Sequence, residues 1–174
     1  RKTPHRISGA PDNSGASSTG PATTASADTA GLDTIFREFS SALETLETFC
    51  HAPEFAGLTD RIASAVAQTF RNDGKVLICG NGGSLCDAAH FAEELTGRFR
   101  GDRRPLPAIA ITEPGHLSCT ANDYGYDEVF ARSITALGRK GDVLILLSTS
   151  GNSPNIRRAA AAGRQQEMTL VALL

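Results

Sequence analysis

The sequence predicts an α/β protein, in which a three-layer arrangement of a parallel β-sheet flanked by helices is preceded by two further helices. Four short apolar runs alternate with segments of helical periodicity, at residues 75–79, 108–111, 143–147 and 168–174. Runs that are apolar throughout are typical of strands buried on both faces of a sheet. Strands that alternate with helices predict parallel pairing through right-handed crossovers.

Helices are predicted before and between these strands from the spacing of apolar residues. Apolar side chains recur at helical spacing from about Leu32 to Pro53, with Asp33 as the candidate N-cap, and again from about Thr59 until Gly74. The later helices are predicted at residues 84–98, 114–121, 127–138 and 154–166. Ligands of parallel α/β sheets bind beyond the carboxyl ends of the strands, so the loops that follow the strands are the places to search for a site.

Residues 1–31 differ in composition from the rest of the chain. Ala, Ser, Thr, Pro and Gly make up 23 of these 31 residues, and Ile7 is their only large aliphatic side chain. Such a stretch buries too little apolar surface to offset the entropy lost on ordering, so we predict a disordered tail. A transit peptide is an alternative because Arg and Ser are present and acids are few, although no amphipathic pattern supports it. The predicted single domain then covers residues 32–174.

The composition excludes several classes of protein. The 174 residues carry 17 basic against 19 acidic side chains, a net charge of −2, which argues against binding nucleic acid or an anionic membrane through bulk charge. No apolar run approaches the roughly 18–20 residues of a membrane span. The four cysteines are irregularly spaced and form no CxxC, so neither a zinc knuckle nor a disulfide framework is indicated. We therefore predict a soluble protein of the reducing cytoplasm.

Two strand-to-helix loops share one design. Residues 80–84 (GNGGS) follow the first strand, and residues 148–153 (STSGNS) follow the third. Glycine lets backbone N–H groups approach a ligand closely, and a helix N-terminus adds unpaired donors, so each loop suits an anion such as phosphate. The alternative is that Ser84 and Ser153 are only N-caps and the glycines only turn residues. Neither loop is a Walker A motif, and Leu85 stands where a dinucleotide fingerprint needs its third glycine.

The predicted helix after the first loop carries a second candidate feature. Asp87, His90 and Glu94 fall on one helix face, and Ser84 with Asp87 forms a capping-box pattern. His90 and Glu94 are four residues apart, so they could together bind a divalent metal such as zinc, or Glu94 could act as a general base. The alternative is a surface pair that stabilises the helix by about 0.2–0.5 kcal/mol.

Four long stretches of the sequence resemble a known family. They are CGNGGSLCDAAHFAEELTGRF (residues 79–99), PAIAIT (107–112), HLSCTANDYGYDEVFAR (116–132) and GDVLILLSTSGNSPNI (141–156). In content, order and spacing they are similar to the bacterial phosphoheptose isomerases, and the resemblance runs from about Asp33 to Leu174. It implies the sugar isomerase (SIS) fold, a flavodoxin-like arrangement of the three predicted layers.

The resemblance implies an activity and a set of site residues. The family isomerises sedoheptulose 7-phosphate to D-glycero-D-manno-heptose 7-phosphate through an enediol, toward ADP-heptose and lipopolysaccharide core. Its members are cytoplasmic homotetramers with one zinc ion per subunit. The positions that match substrate contacts are Asn81, Gly82, Gly83, Glu94, Asn122, Asp123, Ser148, Thr149, Ser150 and Ser153. His90 and Glu94 match zinc ligands, and Glu94 also matches the catalytic acid/base.

The end of the chain departs from the family pattern. In the family, the strand that matches residues 168–174 is followed by a further strand and a long helix, which carries a Gln and a His. These complete the zinc site and supply the second acid/base group, so we expect them beyond Leu174 and expect this stretch alone to lack activity. A non-catalytic SIS module remains the alternative, either binding a replication-initiation protein or sensing a phosphosugar.

Overall fold

The computed structural model describes the backbone of residues 25–174 and the side chains of residues 30–174. By its internal contacts the chain divides into two compact units, Arg1–His51 and Ala52–Leu174. Most of the predicted tail lies outside the described residues, so the boundary between tail and domain stays a prediction.

The described part of the first unit is one long helix, α1 (Ala25–His51). It begins well before the predicted start near Leu32, so Asp33 lies inside the helix and the N-cap prediction is wrong. Residues 25–31 include three alanines, the residue with the highest helix propensity, and extending a formed helix is far easier than starting one.

The apolar side chains of α1 have the predicted helical spacing, but they are exposed. Each is more than half accessible to solvent: Leu32, Ile35, Phe36, Phe39, Leu43, Leu46 and Phe49. An apolar stripe of this length on a protein surface marks an interaction site more often than a solvated face.

The second unit contains the remaining helices and all the strands. In chain order they are α2 (Pro53–Arg71), β1 (Val76–Gly80), α3 (Gly83–Thr96), β2 (Ala108–Ala110), α4 (Pro114–Tyr124), a 3₁₀ turn (Tyr126–Glu128), α5 (Ala131–Leu137), β3 (Val143–Leu147), α6 (Pro154–Gln165) and β4 (Thr169–Leu173). Helix α2 starts at Pro53 rather than near Thr59. Proline suits the first helical position, and the acidic Glu54 complements the positive end of the helix dipole.

The four strands form one parallel sheet in the order β2-β1-β3-β4, which confirms the predicted fold class. Strands β1 and β3 are central, and all their residues are buried. Their pairing aligns Val76 with Val143 and Gly80 with Leu147. The two strands therefore end side by side, and the two candidate loops leave the sheet at adjacent points.

Side chains that alternate along the strands pack into two cores on opposite faces of the sheet. On one face, Leu77 and Leu144 pack with Phe130 and Ile134. On the other, Val76 packs with residues that include Phe70 of α2 and Ala88 of α3. This alternation is the period-two geometry of a strand, and it explains why β1 and β3 are apolar throughout. Within residues 25–174, no helix combines the length and apolar character needed to cross a membrane.

Candidate functional site

The first loop turns sharply from β1 into α3. A Cβ on Gly80 would lie 2.7 Å from both Cβ and the carbonyl oxygen of Ser84, so only glycine fits there. Gly82 has φ 55° and is the N-cap of α3, which starts at Gly83. The predicted N-cap at Ser84, and with it the capping box to Asp87, is therefore wrong. The helix begins earlier because Gly82 adopts a left-handed conformation that other residues rarely adopt.

Open space surrounds Gly82 and Gly83 in this loop. A Cβ built on Gly82 or Gly83 would meet no atom within 4 Å. In the first turn of α3, the N–H groups of Ser84, Leu85 and Cys86 already bond to the carbonyl oxygens of Asn81 and Gly82. Among the described residues the Gly83 N–H makes no such bond, so it is the backbone donor that a ligand in this space could use. The arrangement suits an anion or the hydroxyl groups of a sugar.

The second loop leaves β3 with its hydroxyl groups held in a compact turn. Ser148 is buried, and its Oγ accepts a hydrogen bond from the Gly151 N–H at 3.2 Å. The Oγ of Ser150 accepts from the Asn152 N–H at 3.3 Å. As predicted, Ser153 is the N-cap and Pro154 opens the helix, but the Ser153 side chain makes no capping bond. Capping alone therefore does not explain the hydroxyl at this position.

A pair of amides joins the two loops. Asn81 Nδ2 donates to Asn155 Oδ1 at 2.9 Å, and Asn155 Nδ2 donates to Asn81 Oδ1 at 2.8 Å. The Tyr126 hydroxyl also donates to Asn81 Oδ1, at 3.2 Å. The sequence interpretation missed Asn155 and Tyr126. Nothing local marks them, because their partner lies 74 and 45 residues away along the chain.

Helix α3 brings His90 and Glu94 together, as their spacing predicts. His90 Nε2 lies 3.3 Å from a carboxylate oxygen of Glu94 and 3.6 Å from one of Glu93. With Asp87, the residues His90 and Glu94 line a cleft of about 520 Å³, within the usual range for small-molecule sites. Apolar residues complete its wall, among them Phe91, Leu95, Phe99 and Leu106.

The His90 and Glu94 atoms are spaced as ligands of one metal ion would be. Two ligand atoms, each about 2.0–2.1 Å from a tetrahedral zinc ion, lie about 3.3 Å apart. Ligand atoms of Glu93 also lie within 4.8 Å of those of His90 and Glu94. The donor set of one imidazole and two carboxylates therefore fits a divalent metal, and Glu93 is a member of the cluster that the sequence interpretation did not name.

Arg103 ties down the end of α3 and lines the same cleft. Its guanidinium donates to the carbonyl oxygen of Leu95 at 2.8 Å and to that of Glu94 at 2.5 Å. The last carbonyls of a helix have no partner within the helix, and a cation there complements the helix dipole. Arg103 was not among the predicted site residues, although a basic residue shortly after a helix is a recognisable signal.

Asn122 and Asp123 lie in the last turn of α4, which continues to Tyr124, rather than after the helix as the sequence suggested. Asn122 Nδ2 donates to Asp123 Oδ1 at 2.8 Å, and the Cys119 thiol donates to Asp123 Oδ2 at 3.4 Å. The first of these bonds, then the second, lowers the pKa of Asp123 below its usual value. Asp123 is therefore an anion near neutral pH, which suits sugar hydroxyls rather than phosphate.

The structure brings together only some of the predicted site residues. The two loops meet through Asn81, and the segment after α4 reaches the first loop through Tyr126. Among the described residues, the side chains of Asn122 and Asp123 make no hydrogen bond to either loop. Cys79, directly before the first loop, is excluded as a nucleophile because burial raises its thiol pKa to about 12.

A known protein family and several of its members are similar to this chain. The model of the SIS domain family matches residues 39–174. The phosphoheptose isomerase of Sodalis glossinidius (strain morsitans) is 52% identical over 141 residues, or 81% of this chain and 73% of that relative. The phosphoheptose isomerase of Vibrio parahaemolyticus is also 52% identical, over 81% of this chain and 74% of its own length.

Solved structures agree with the sequence relatives. The phosphoheptose isomerase GmhA from Neisseria gonorrhoeae superposes with a TM-score of 0.75 at 38% identity, covering 81% of this chain and 73% of that one. A phosphoheptose isomerase from Francisella tularensis superposes with a TM-score of 0.78 at 36% identity, covering 82% of this chain and 74% of that one. The fold and the order of its elements are therefore shared with these proteins.

Proposed function

Since this chain belongs to the SIS domain family and, within it, to the phosphoheptose isomerases, we propose that it isomerises sedoheptulose 7-phosphate to D-glycero-D-manno-heptose 7-phosphate. The observation that carries the proposal is a pair of polar loops at adjacent strand ends, the first of which leads into the helix whose imidazole and carboxylate line a cleft. We place the reaction in the cytoplasm, on the route to ADP-heptose and lipopolysaccharide core.

The substrate contacts divide by their chemistry. The hydroxyls of the second loop bind the 7-phosphate, since hydroxyl side chains donate to an anion and the positive end of the α6 dipole favours one there. The residues of that loop are Ser148, Thr149, Ser150 and Ser153. Asn81, Gly82 and Gly83 bind the sugar from the other loop, together with Asn122 and the anionic Asp123.

Glu94 is the proposed acid/base group. It removes a proton from C1 of the open-chain ketose, and the C–H electron pair forms the C1=C2 bond of an enediol as O2 gains a proton. Return of the proton to C2, with loss of the O1 proton, yields the aldehyde. Exchange of the protons on O1 and O2 requires a second acid/base, which the family resemblance leads us to expect beyond Leu174.

We propose that His90 and Glu94 hold one zinc ion per subunit, with the remaining ligands also beyond Leu174. Their 3.3 Å separation supports this assignment. A bound divalent ion supplies Lewis-acid stabilisation of a developing oxyanion. Arg103 keeps the Glu94 end of α3 in place through its bonds to the helix carbonyls.

The test is an isomerisation assay on the complete protein in D₂O, with and without added zinc. We expect the aldose to form, to carry deuterium at C2 in the fraction of turnovers in which the proton on Glu94 exchanges with solvent before its return, and to form faster with zinc. Binding of the phosphosugar without turnover would overturn the enzymatic proposal and favour a phosphosugar sensor.

We further propose that the protein is a homotetramer in which α1 packs against other copies of itself. The exposed apolar stripe of α1 supports this, because it includes Phe36 and Phe39, which are 68% and 72% exposed. Burying such a stripe between subunits removes apolar area from water, which is the main favourable term in protein association.

Replacing both phenylalanines, Phe36→Asp with Phe39→Asp, is expected to shift the protein from tetramers to smaller species in sedimentation velocity. The physical reason is that two carboxylates in an apolar interface lose hydration without gaining partners. Arg37→Asp is the matched control on the same helix, and it should leave the sedimentation coefficient unchanged. Equal sedimentation of the double variant and the wild type would contradict the assignment of α1 to the subunit interface.

A further inference from the structure

We propose that Asn155 is a positioning residue that holds Asn81 in place and thereby makes the two strand-end loops a single ligand site. The proposal rests on the proposed function, in which these loops bind one phosphosugar. Asn155 itself is a buried residue in the first turn of α6 and is not among the assigned ligand contacts.

The geometry of the amide pair is reciprocal. Each amide donates one hydrogen bond and accepts one, at 2.9 Å and 2.8 Å, so the two planar groups form a closed ring. This pair joins Asn81, at the end of β1, to the helix that follows β3. The loops thus have a direct hydrogen-bonded connection in addition to the pairing of their strands.

Because Asn155 is buried, losing its partner would be unfavourable. Asn155 is 2% exposed, while Asn81 is half-buried at the edge of the open space. A buried polar group left without a partner is unfavourable, so the amide of Asn155 strongly favours the orientation in which Asn81 completes it. Among the described residues, no buried side-chain nitrogen or oxygen lacks a hydrogen-bond partner, and this pair contributes to that balance.

Two further hydrogen bonds hold Asn81. Its Oδ1 also accepts from the Tyr126 hydroxyl at 3.2 Å, and its backbone carbonyl accepts from the Ser84 N–H at 3.0 Å. Asn81 is therefore held by elements that follow three different strands. An amide is required at position 155, because a carboxylate offers no donor to Asn81 Oδ1 and an aliphatic side chain offers neither bond.

A fixed separation of the loops raises the affinity for a ligand that contacts both loops more than the affinity for a ligand that contacts only one. A phosphosugar that contacts both loops gains affinity when their separation is already set, since less ordering is needed on binding. Inorganic phosphate needs only the hydroxyl loop, so its affinity should not depend on Asn81. Comparing the affinities for the two ligands therefore distinguishes a positioning role of Asn155 from general damage to the fold.

The experiment compares Asn155→Leu with the wild type in the complete protein, by NMR titration with sedoheptulose 7-phosphate and, separately, with inorganic phosphate. We expect Asn155→Leu to weaken phosphosugar binding about tenfold through lost preorganisation, while the Kd for inorganic phosphate stays nearly constant. Equal weakening for both ligands, or no weakening for either, would overturn the proposal.

Two variants serve as controls. Tyr126→Phe removes one donor to Asn81 Oδ1 but leaves the amide pair, so its effect should be smaller than that of Asn155→Leu. Gln68→Glu removes a surface amide of α2 that donates to Asn72 at 3.1 Å and makes no hydrogen bond to either loop among the described residues, so it should change neither affinity. An effect of Tyr126→Phe as large as that of Asn155→Leu would contradict the primacy of the pair.

A ligand-free measurement keeps this proposal distinct from the proposed function. The Ser84 N–H bonds to Asn81, and the Gly151 N–H bonds to Ser148, so their hydrogen exchange reports on the two loops separately. Asn155→Leu should speed exchange at Ser84 and leave Gly151 unchanged, even if the wild type binds no phosphosugar. Unchanged exchange at Ser84, or equal acceleration at Gly151, would refute the positioning role.

Discussion

Replacing Glu94 by glutamine is expected to lower kcat about 10²–10⁴-fold, the range for loss of a positioned acid or base, with little change in KM. Glutamine keeps the shape of the side chain but accepts no proton from carbon. Glu94 is the carboxylate 3.3 Å from His90 in the cleft, and its side chain is 34% exposed. Steady-state kinetics of the complete protein with sedoheptulose 7-phosphate measures the effect, and unchanged turnover would sink the assignment.

The neighbouring Glu93 provides the matched comparison for this prediction. It carries the same group, 3.6 Å from His90, but its side chain is 65% exposed and does not line the cleft. Glu93→Gln should therefore retain most of the turnover. Zinc content is measured in both variants. If Glu94 is the base, Glu94→Gln should remain inactive even when it is loaded with excess zinc, whereas a defect in metal binding alone would be reversed by excess zinc.

Replacing Asp142 by alanine is expected to lower the free energy of unfolding by about 2–4 kcal/mol, because two backbone N–H groups and the partly exposed Lys75 ammonium lose their acceptor. Asp142 is 2% exposed. Its carboxylate accepts from the Lys75 ammonium at 2.5 Å and from the backbone N–H groups of Lys75 and Arg139, both at 2.9 Å. It thus joins the residues directly before the two central strands, and its loss leaves two backbone donors without a partner.

Urea unfolding of three variants tests the role of Asp142. Asp142→Asn keeps one acceptor and should lower the free energy of unfolding by a smaller amount, about 1–2 kcal/mol. Lys140→Met breaks the exposed ion pair with Glu167, a class of interaction that contributes little to stability, so it should change almost nothing. If Asp142→Ala were as stable as Lys140→Met, the buried carboxylate would not hold the strand starts together.

Much of the fold could be predicted because the deciding signals are local. Residues 143–147 are apolar throughout, as is typical of a strand that is buried on both faces of a sheet. The observed strand β3 has the predicted bounds, Val143–Leu147. The pairing of His90 with Glu94 followed from helical spacing alone. The exact start of a helix is harder to predict: alanines move the start of α1 and a proline moves that of α2 by several residues, and a left-handed glycine moves that of α3 by one.

The candidate site divides in the same way. The glycine and serine content of the loops and the face shared by His90 and Glu94 follow from residues close together in the chain, so reading the chain was enough to find them. Asn155 and Asp142 were not predicted because they bond to partners 74 and 67 residues away, respectively, and a hydrogen bond across so many residues leaves no mark on local composition. Only the parallel pairing of β1 with β3 sets Asn81 against Asn155 and Lys75 against Asp142. The sequence by itself thus determines which chemical groups this protein offers, because they lie in short motifs. Only the tertiary structure decides how those motifs are held, because the buried polar pairs that fix them form when the sheet forms.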